Sequence, residues 1–482
     1  MKYAGFLTTV MASAVGFSGA AQAAPNILLI FGDDMGVETL ASYGIGENPP
    51  TTATLDQMAR DGLRFTNFWA QPVCSPTRAT VITGRYGFRT GIGRPAGGGG
   101  ELPDIPEIPE WASPAPSAMG GGMGIGMGGG NNPLVGLPRH GLPADEYTLP
   151  TALKSAEGLG YSTAAIGKWH LADTNNGWLD HPNRVGFDYY AGLITGTTPT
   201  YFSWNKVVNG EIVGETGYTA AGKADDAITW IVEQGDRPWF LWFAFNLPHT
   251  PIHLPPADQW QEDHSHLDPK TIPDEADEYF DAMMEAMDTQ IGRILASLDP
   301  EVRDNTYVVF LGDNGTTSGS VRAPFQPGRA KGTVYQGGVN VPLIIRGPGI
   351  EPGTVTDALV NSSDLFVTIM EMAGIDPEAT IPGDVTHDSV SFMSVLSDPY
   401  TTPRDWVYVD EFFGGFAGVE TANYAMRDPR YKLMRYNMEE EFYDLLEDPY
   451  ENDNLLAGQL SGSQRAAYIR LRARIAELRT SE

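Results

Sequence analysis

The chain has 482 residues, with 31 lysines and arginines against 61 aspartates and glutamates, and a formal net charge of −30. This length is sufficient for a large core or two domains, and so acidic a chain is not a general nucleic-acid binder. A negative protein repels anions at long range, so an anionic substrate would require a local cluster of basic residues.

The N-terminus has the pattern of a secretory signal peptide. Lys2 is followed by small and apolar residues over Ala4–Ala20 and by the small-x-small sequence AQA, which ends at Ala23. We therefore predict that residues 1–23 are removed and that the protein is exported, to a periplasm or to the medium. No other apolar run is long enough to cross a bilayer, so we predict no membrane span.

Apolar runs and amphipathic segments alternate along most of the chain. The apolar runs predict strands at Asn26–Phe31, Arg64–Trp69, Ser162–Ile166, Pro238–Phe245, Thr306–Leu311 and Val341–Arg346. The amphipathic segments predict helices at Thr54–Asp61, Pro76–Thr83, Thr151–Gly158, Ala220–Gln234, Glu278–Leu298 and Asp364–Met372. Strands of consecutive apolar residues separated by helices are typical of a parallel sheet that is buried on both faces. We predict an α/β fold with a large, mostly parallel sheet sandwiched by helices.

Two regions depart from this alternation. Residues 91–143 are crowded with glycine, proline and methionine, a composition that predicts a loose insertion rather than a packed core. After about residue 375 the chain predicts short strands and a closing helix, at Trp406–Asp410, Ala425–Met426, Lys432–Arg435, Glu441–Asp444 and Gln464–Leu478. We predict an α/β domain over 24–375 and a small C-terminal antiparallel-sheet subdomain over 376–482.

Acidic and amide side chains follow two of the predicted strands. Asp33 and Asp34 come after the first strand, and Asp313 and Asn314 follow the strand at Thr306–Leu311. Adjacent carboxylates repel each other unless a cation lies between them, although either pair alone is more often a turn or a helix cap. Ligands of parallel sheets bind beyond the carboxyl ends of the strands. The two pairs together therefore indicate a hard-oxygen site for Ca²⁺ or Mg²⁺.

Basic residues occupy comparable positions. Lys168 and His170 follow the predicted strand at Ser162–Ile166 and can point to the same side. His249 lies in a proline-rich loop, and Lys331 lies in a glycine-flanked loop. Taken alone, each of these residues would be interpreted as a surface or structural residue. We keep that interpretation for His253, which lies in the same loop as His249.

Cys74 is the only cysteine, so it cannot form a disulfide within the chain. It stands at the start of a predicted helix with Pro76 in the first turn, where free amides favour an anion. Arg78, one turn on, lies on the same face and can hold an oxyanion. A nucleophilic thiolate is one interpretation. An oxygen function at position 74 fits the adjacent hard-cation site better, because hard cations prefer oxygen to sulfur.

The sequence resembles the type I sulfatases of the alkaline phosphatase superfamily. CSPTR matches their Cys-x-Pro-x-Arg signature, and ATVITGR continues it. PNILLIFGDDMG, GKWHLA, GDNG, KGTVYQGGVNVPLIIRGPG and RYKLMRYNMEEEFYDLLEDPYENDNL resemble the other family segments, in the expected order over nearly all of the mature chain. Ala172, Gln336 and Asn340 depart from frequent family residues, and we assign none of the three to chemistry.

The resemblance implies a cation site and a modified residue. In the family this cysteine is oxidised during biosynthesis to formylglycine, whose hydrate is a gem-diol. By analogy, Asp33, Asp34, Asp313 and Asn314 bind one divalent cation together with the modified Cys74, and Ca²⁺ is favoured over Mg²⁺. The cation and Arg78 would orient one hydroxyl of the diol for attack on sulfur.

The resemblance also implies roles for the basic residues. Lys168 and Lys331 would offset charge on the sulfuryl oxygens. His249, with Lys331, would protonate the departing oxygen. His170 would take the proton of the second hydroxyl, so that sulfate is expelled and the aldehyde is regenerated.

Three functions remain open from the sequence alone. The first is hydrolysis of sulfate monoesters, by an arylsulfatase or by a sulfatase of sulfated glycans, with a small-molecule or glycan sulfate ester as substrate. The second is hydrolysis of phosphonate monoesters or phosphodiesters at the same formylglycine site. The third is a silent binder of sulfated glycans, in which Cys74 is never converted by the formylglycine-generating enzyme; the intact motif argues against it.

Overall fold

The computed structural model describes residues 24–97, 99–107, 140–156, 158–273 and 276–480. The predicted signal peptide over 1–23 lies outside the described residues, and so does most of the predicted insertion over 91–143, namely residue 98 and residues 108–139. Within the described ranges, no helix is both long enough and apolar enough to cross a membrane.

The strands and helices follow the predicted alternation along the chain. The strands are β1 (Asn26–Gly32), β2 (Leu63–Phe65), β3 (Phe68–Trp69), β4 (Ser162–Lys168), β5 (Tyr189–Leu193), β6 (Ser203–Val208), β7 (Glu211–Thr216), β8 (Trp239–Ala244), β9 (Thr306–Gly312), β10 (Leu343–Arg346), β11 (Thr354–Thr356), β12 (Val360–Asn361), β13 (Val407–Glu411), β14 (Asn423–Arg427), β15 (Tyr431–Tyr436) and β16 (Glu439–Asp444). The α-helices are α1 (Ala53–Asp61), α2 (Cys74–Thr83), α3 (Gly87–Thr90), α4 (Leu149–Ser155), α5 (His181–Arg184), α6 (Thr219–Gln234), α7 (Asp277–Ala296), α8 (Pro300–Asp304), α9 (Gln336–Val339), α10 (Leu365–Met372), α11 (Pro377–Thr380), α12 (Met393–Ser397) and α13 (Gly462–Thr480).

A ten-stranded sheet with the order β11-β2-β10-β9-β1-β8-β4-β5-β6-β7 forms the centre of the molecule. Its middle strands β9, β1, β8, β4 and β5 are parallel neighbours. On either side of them, β10 pairs antiparallel with β9 and with β2, and β6 pairs antiparallel with β5 and β7. The predicted α/β class with a mostly parallel sheet is therefore confirmed.

The two faces of this sheet bury two separate cores. Side chains alternate across a strand, so Leu29 of β1 packs in the core that includes Val81 of α2, while Leu28 packs on the opposite face. That second core includes Ile231 of α6 and Met287 of α7. Every residue of β1 is buried, as its unbroken apolar sequence predicts for a strand covered on both faces.

A second sheet with the order β13-β14-β15-β16 is antiparallel throughout. Leu471 and Ile475 of α13 share a buried cluster with Leu433 and Phe442 of this sheet. The smaller C-terminal antiparallel sheet of the predicted fold class is thus confirmed.

One predicted strand is wrong in extent. The segment Arg64–Trp69 is not continuous: β2 joins the central sheet, whereas β3 leaves it and pairs with β12. Between them the Thr66 amide donates to the Thr356 carbonyl, and the Asn67 side chain donates to the Asp357 carbonyl. These bonds to a distant segment interrupt an apolar run that sequence alone joins into one strand.

The C-terminal sheet holds a loop that carries one of the predicted site residues. Lys432 of β15 is buried, and its ammonium donates to the Val334 carbonyl at 2.7 Å and pairs with the Glu451 carboxylate. The second Glu451 oxygen accepts the Gln336 amide at 2.6 Å. The loop that follows Lys331 is therefore fixed from the C-terminal side.

Replacing Glu451 by alanine is expected to lower the apparent free energy of unfolding by about 3–5 kcal/mol, because Lys432 is left as a buried charge without its carboxylate. Urea unfolding followed by tryptophan fluorescence measures this change. The control is Glu447→Ala, since that exposed carboxylate lies 3.7 Å from Arg430 and its loss should change stability by less than about 1 kcal/mol. Equal, small effects of the two substitutions would show that the buried pair does not stabilise the fold.

Candidate active site

The predicted site residues meet at the carboxyl edge of the parallel strands. Asp33 follows β1, Lys168 ends β4, His249 follows β8 and Asp313 follows β9. These four strands are adjacent and in register, so their last residues lie side by side. The arrangement brings together side chains that are far apart in the chain, such as those of Asp34 and Asn314, which are separated by 280 positions.

Helix α2 presents Cys74 to this edge. All residues of α2 are buried, and Val73 before it is extended. The Ser75 hydroxyl donates to the His170 carbonyl at 2.7 Å, and the Thr77 hydroxyl donates to the Asp313 carbonyl at 2.5 Å. The first turn of the helix is thereby tied to two of the strand ends.

Arg78 is completely buried one turn further along α2. Its guanidinium donates to the Lys168 carbonyl at 2.6 Å and to the Asp313 carboxylate at 2.8 Å. Arg78 therefore joins the strand ends of β4 and β9 through fixed charge-assisted bonds.

The Cys74 sulfur lies among charged side chains of both signs. Its Sγ is 3.3 Å from the Lys168 Nζ, 3.8 Å from the Lys331 Nζ and 3.6 Å from Asp33 Oδ1. Lys168 is also paired with Asp33 at 2.6 Å, and Lys331 is paired with Asp34. Position 74 is the point at which the predicted anion-binding and cation-binding residues meet.

The carboxylate side of the site has the features of a cation site. Oxygens Oδ2 of Asp34 and Oδ1 of Asn314 are buried and have no hydrogen-bond partner among the described residues. Buried polar atoms in native proteins are nearly always satisfied, so these two oxygens require an explanation. Ligand atoms of Asp33, Asp34, Cys74 and His249 lie within 4.8 Å of one another, close enough to surround one ion.

The electrostatics of the carboxylates also fit a cation. Burial, together with the charge of Asp313, raises the pKa of Asp33 to about 7, so the site without an ion does not compensate its negative charge. Burial would also raise the pKa of Asp34, but the positive charges of Lys331 and Lys168 outweigh it and hold that pKa below its usual range. Three carboxylates and an amide oxygen in one buried site match the ligands that Ca²⁺ prefers.

Two histidines, which follow the adjacent strands β4 and β8, border this cluster. His249 binds the Thr250 carbonyl through Nδ1 at 2.8 Å, and its Nε2 lies 3.8 Å from Asp34 Oδ2. Burial lowers the pKa of His249 to about 3. Burial and the nearby charge of Lys168 also lower the pKa of His170 well below its usual value, and its Nδ1 is buried without a partner in the described ranges.

Sequence reasoning missed the residue that makes room for His170. The backbone of Gly196 lies so close to the imidazole that a Cβ at position 196 would be 2.2 Å from His170 Cε1. No motif marks this glycine, because the close approach depends on how the segment after β5 folds over the site. His253 lies outside the site, stacked on Tyr201 with ring centroids 4.3 Å apart.

Sequence reasoning also missed a buried lysine on α6. The Lys223 ammonium donates to the side chain of Asn246, three residues before His249. The signal was present: Lys223 shares a helical stripe with Ala220, Ala224 and Ala227, all of which are buried. A lysine in such a stripe faces the core rather than solvent.

The fold and the site together define a class of enzyme: a hydrolase that acts on esters of tetrahedral oxyanions at the carboxyl edge of an α/β sheet. Basic side chains of Arg78, Lys168 and Lys331 can hold the anion, and the buried carboxylates beside them can hold a cation.

Comparison with known proteins identifies the family. The chain belongs to the sulfatase family, whose sequence model matches residues 25–375, and a model for the C-terminal region of N-sulphoglucosamine sulphohydrolase matches residues 330–481. The chain is 30% identical to the N-acetylgalactosamine-6-sulfatase of Sus scrofa, over 83% of this chain and 71% of that protein. It is 29% identical to the arylsulfatase A of Bos taurus, over 93% and 86% of the two chains. The protein is therefore a sulfuric ester hydrolase.

Solved structures share the fold. Ps i-CgsB, solved in complex with k-i-k-neocarrahexaose, has a TM-score of 0.72 at 22% identity and covers 95% of this chain and 93% of its own. BT4656, solved with its substrate D-glucosamine-2-N,6-O-disulfate, has a TM-score of 0.65 at 20% identity and covers 93% and 97% of the two chains.

Proposed function

We propose that this sulfatase removes sulfate esters from a glycan, using formylglycine at position 74 and Ca²⁺. The observation that carries the proposal is the position of the Cys74 sulfur, 3.3 Å from Lys168 and 3.6 Å from Asp33, between the anion-binding lysines and the buried carboxylates. Similarity to an N-acetylgalactosamine-6-sulfatase, and to structures that hold k-i-k-neocarrahexaose or D-glucosamine-2-N,6-O-disulfate, supports a glycan substrate.

The donor set fits the proposed cofactors. Asp33, Asp34, Asp313 and Asn314 would hold the ion, since two of their oxygens are buried without a partner in the described part of the chain. Together the formylglycine hydrate and Ca²⁺ would supply a nucleophilic hydroxyl, and a second hydroxyl that provides the route for sulfate release. Arg78 and Lys168 fix the positions of the side chains around residue 74, because each is buried and forms an ion pair with a carboxylate.

The basic side chains have separate roles in the proposed reaction. Lys168 and Lys331 offset the negative charge that develops on the sulfuryl oxygens. Lys331 and His249 protonate the departing oxygen: Asp34 raises the pKa of Lys331 above its usual range despite burial, so this lysine holds a proton at neutral pH. His249 is neutral before substrate binds, and an anionic ester beside it would favour its protonated form. His170 takes the proton that must leave when sulfate is released.

The burial of Cys74 bears on when the modification occurs. The side chain is almost fully buried and begins a helix that is buried along its whole length. We propose that a formylglycine-generating enzyme acts on the chain before it folds.

We also propose that the segment 1–23 directs export of the protein. The exported chain would consist of a catalytic domain over 24–375, with an insertion over 91–143, and a subdomain over 376–482.

A comparison of paired esters tests the reaction. We expect kcat/KM for 4-nitrophenyl sulfate to exceed that for the matching phenylphosphonate monoester and phosphodiester by roughly tenfold or more, which corresponds to about 1.4 kcal/mol. Sulfate release from aryl, monosaccharide and polysaccharide sulfates, measured by ion chromatography, then identifies the preferred class, and we expect a glycan. A preference for the phosphonate or the phosphodiester would establish the alternative hydrolase instead.

A further inference from the structure

The ammonium group of Lys223 is buried beneath the active site. Lys223 is 2% exposed, and its Nζ donates to Asn246 Oδ1 and lies 5.2 Å from the centre of the Trp204 ring. In the described ranges its ammonium forms this one hydrogen bond and this one cation–π contact, and it forms no salt bridge. Burying an ammonium with so few partners is unfavourable, and burial lowers the pKa of Lys223 to about 7. An apolar side chain at this position would give a more stable fold than the lysine does.

Asn246 links Lys223 to His249. The carbonyl of Asn246 accepts the His249 amide at 2.8 Å, which closes a turn after β8. The Tyr201 hydroxyl lies within hydrogen-bonding distance of two carbonyls, 2.5 Å from that of Asn246 and 2.7 Å from that of His249. The Leu247 carbonyl in the same turn accepts the Asp33 amide at 2.9 Å. The turn over 246–249 is therefore held from α6, from the segment before β6 and from the end of β1.

The lysine also orients the Asn246 amide. The protonated form of Lys223 has donors and no acceptor, and Asn246 turns its Oδ1 toward this lysine. Its Nδ2 is left buried and without a partner among the residues that the structure describes. The position of Asn246 is thus fixed by two sets of contacts: its side chain binds Lys223, and its backbone carbonyl contacts His249 and Tyr201.

We propose that Lys223 is a positioning residue for protonation of the leaving group: through Asn246 it holds the turn that presents His249 to the departing oxygen. This inference rests on the proposed function, in which His249 and Lys331 protonate that oxygen. Lys223 does not touch the substrate in this role. Its loss changes the placement of the imidazole, and small misplacements of catalytic groups lower rates strongly.

The dependence on the leaving group tests this role. A good leaving group such as 4-nitrophenolate departs without a proton, whereas a sugar or alkyl alcohol requires one. We expect Lys223→Met to lower kcat/KM for an alkyl or monosaccharide sulfate by roughly a hundredfold, within the range that general acid catalysis contributes. The same substitution should leave 4-nitrophenyl sulfate hydrolysis nearly unchanged. A series of aryl sulfates should therefore show a steeper dependence of rate on leaving-group pKa, and Lys223→Arg should restore part of the loss.

Lys206→Met is the matched control. Lys206 lies on the neighbouring strand β6, and its ammonium pairs with Glu215 and Asp226 rather than with any residue of the site. We expect the Lys206→Met substitution to change kcat/KM for all sulfate esters by the same factor. Tyr201→Phe removes the hydroxyl that bridges the two carbonyls, and it should reproduce the leaving-group signature of Lys223→Met even where that variant folds poorly.

Two outcomes overturn the proposal. Equal losses for good and poor leaving groups in both Lys223→Met and Tyr201→Phe would show that these residues only stabilise the fold. The negative charge of Asp33 raises the pKa of Lys223, so the two groups interact electrostatically. A fall in bound calcium that accounts for the lost activity would show that Lys223 acts through this interaction with Asp33 instead. Failure of the proposed function has a different signature, because the wild-type enzyme itself would then prefer phosphonate esters or phosphodiesters to sulfates.

Discussion

Cys74→Ala is expected to abolish sulfate ester hydrolysis, lowering kcat by at least roughly four orders of magnitude, as the loss of a catalytic nucleophile does in other hydrolases. The fold should be retained, because alanine is tolerated at a helix start and the polar contacts of the Cys74 sulfur with Lys168, Asp33 and Lys331 are long, at 3.3, 3.6 and 3.8 Å. Steady-state kinetics and thermal unfolding of the same preparation measure the two effects separately.

Mass spectrometry checks the chemical identity of position 74. In active wild-type protein, the peptide that spans Val73 to Arg78 should carry an aldehyde or its hydrate in place of the thiol. The unmodified residue is a poor alternative, because burial raises the pKa of the Cys74 thiol to about 12 and so keeps it protonated at neutral pH. Fully active protein with only cysteine at position 74 would contradict the proposed mechanism.

Cys74→Ser separates the two hydroxyls of the proposed diol. Serine has one hydroxyl at this position, so it can accept a sulfuryl group but lacks the second hydroxyl that drives release. We expect at most a single turnover, seen as a covalent adduct of sulfuryl mass on the peptide that contains position 74. Continuous turnover by this variant would show that the second hydroxyl is dispensable.

Most of the candidate site could be predicted because its residues obey a local rule. Asp33, Lys168, His249 and Asp313 each follow or end an apolar strand, and parallel strands bring such positions to one edge of a sheet. The apolar runs also predicted the central strands well, since strands buried on both faces are nearly continuous in apolar sequence. The Cys-x-Pro-x-Arg segment then placed Cys74 and Arg78 on one helix face.

The features that sequence did not predict depend on contacts between distant segments. The division of Arg64–Trp69 into two strands follows from bonds to residues near 356. The need for glycine at position 196 follows from the close approach of His170. Lys223 has a role only because α6 packs under the turn that contains Asn246. In each case the local sequence is compatible with an ordinary strand, loop or helix.

Removal of the carboxylates should remove the ion and the activity together. We expect Asp34→Ala and Asp313→Ala to lower bound calcium to a small fraction of one ion per chain. Activity should fall by more than the roughly 10–100-fold that loss of an outer-shell partner costs a metal site, because each substitution removes a proposed direct oxygen ligand. Elemental analysis by mass spectrometry, together with kinetics in added Ca²⁺ or Mg²⁺, measures both quantities and identifies the ion.

The two substitutions should differ in stability, which separates the ligand role from the structural role. Asp313→Ala leaves the fully buried Arg78 without its carboxylate, a change expected to destabilise the fold by about 3–5 kcal/mol. Asp34→Ala leaves Lys331 without its partner, but this side chain is 12% exposed and water can compensate more of its charge. Asp225→Ala is the control, because this exposed carboxylate pairs with Arg293 at the surface and its loss should change neither calcium content nor rate. Full activity of the wild-type enzyme after exhaustive chelation, with no metal found by elemental analysis, would refute the cation site that these carboxylates define.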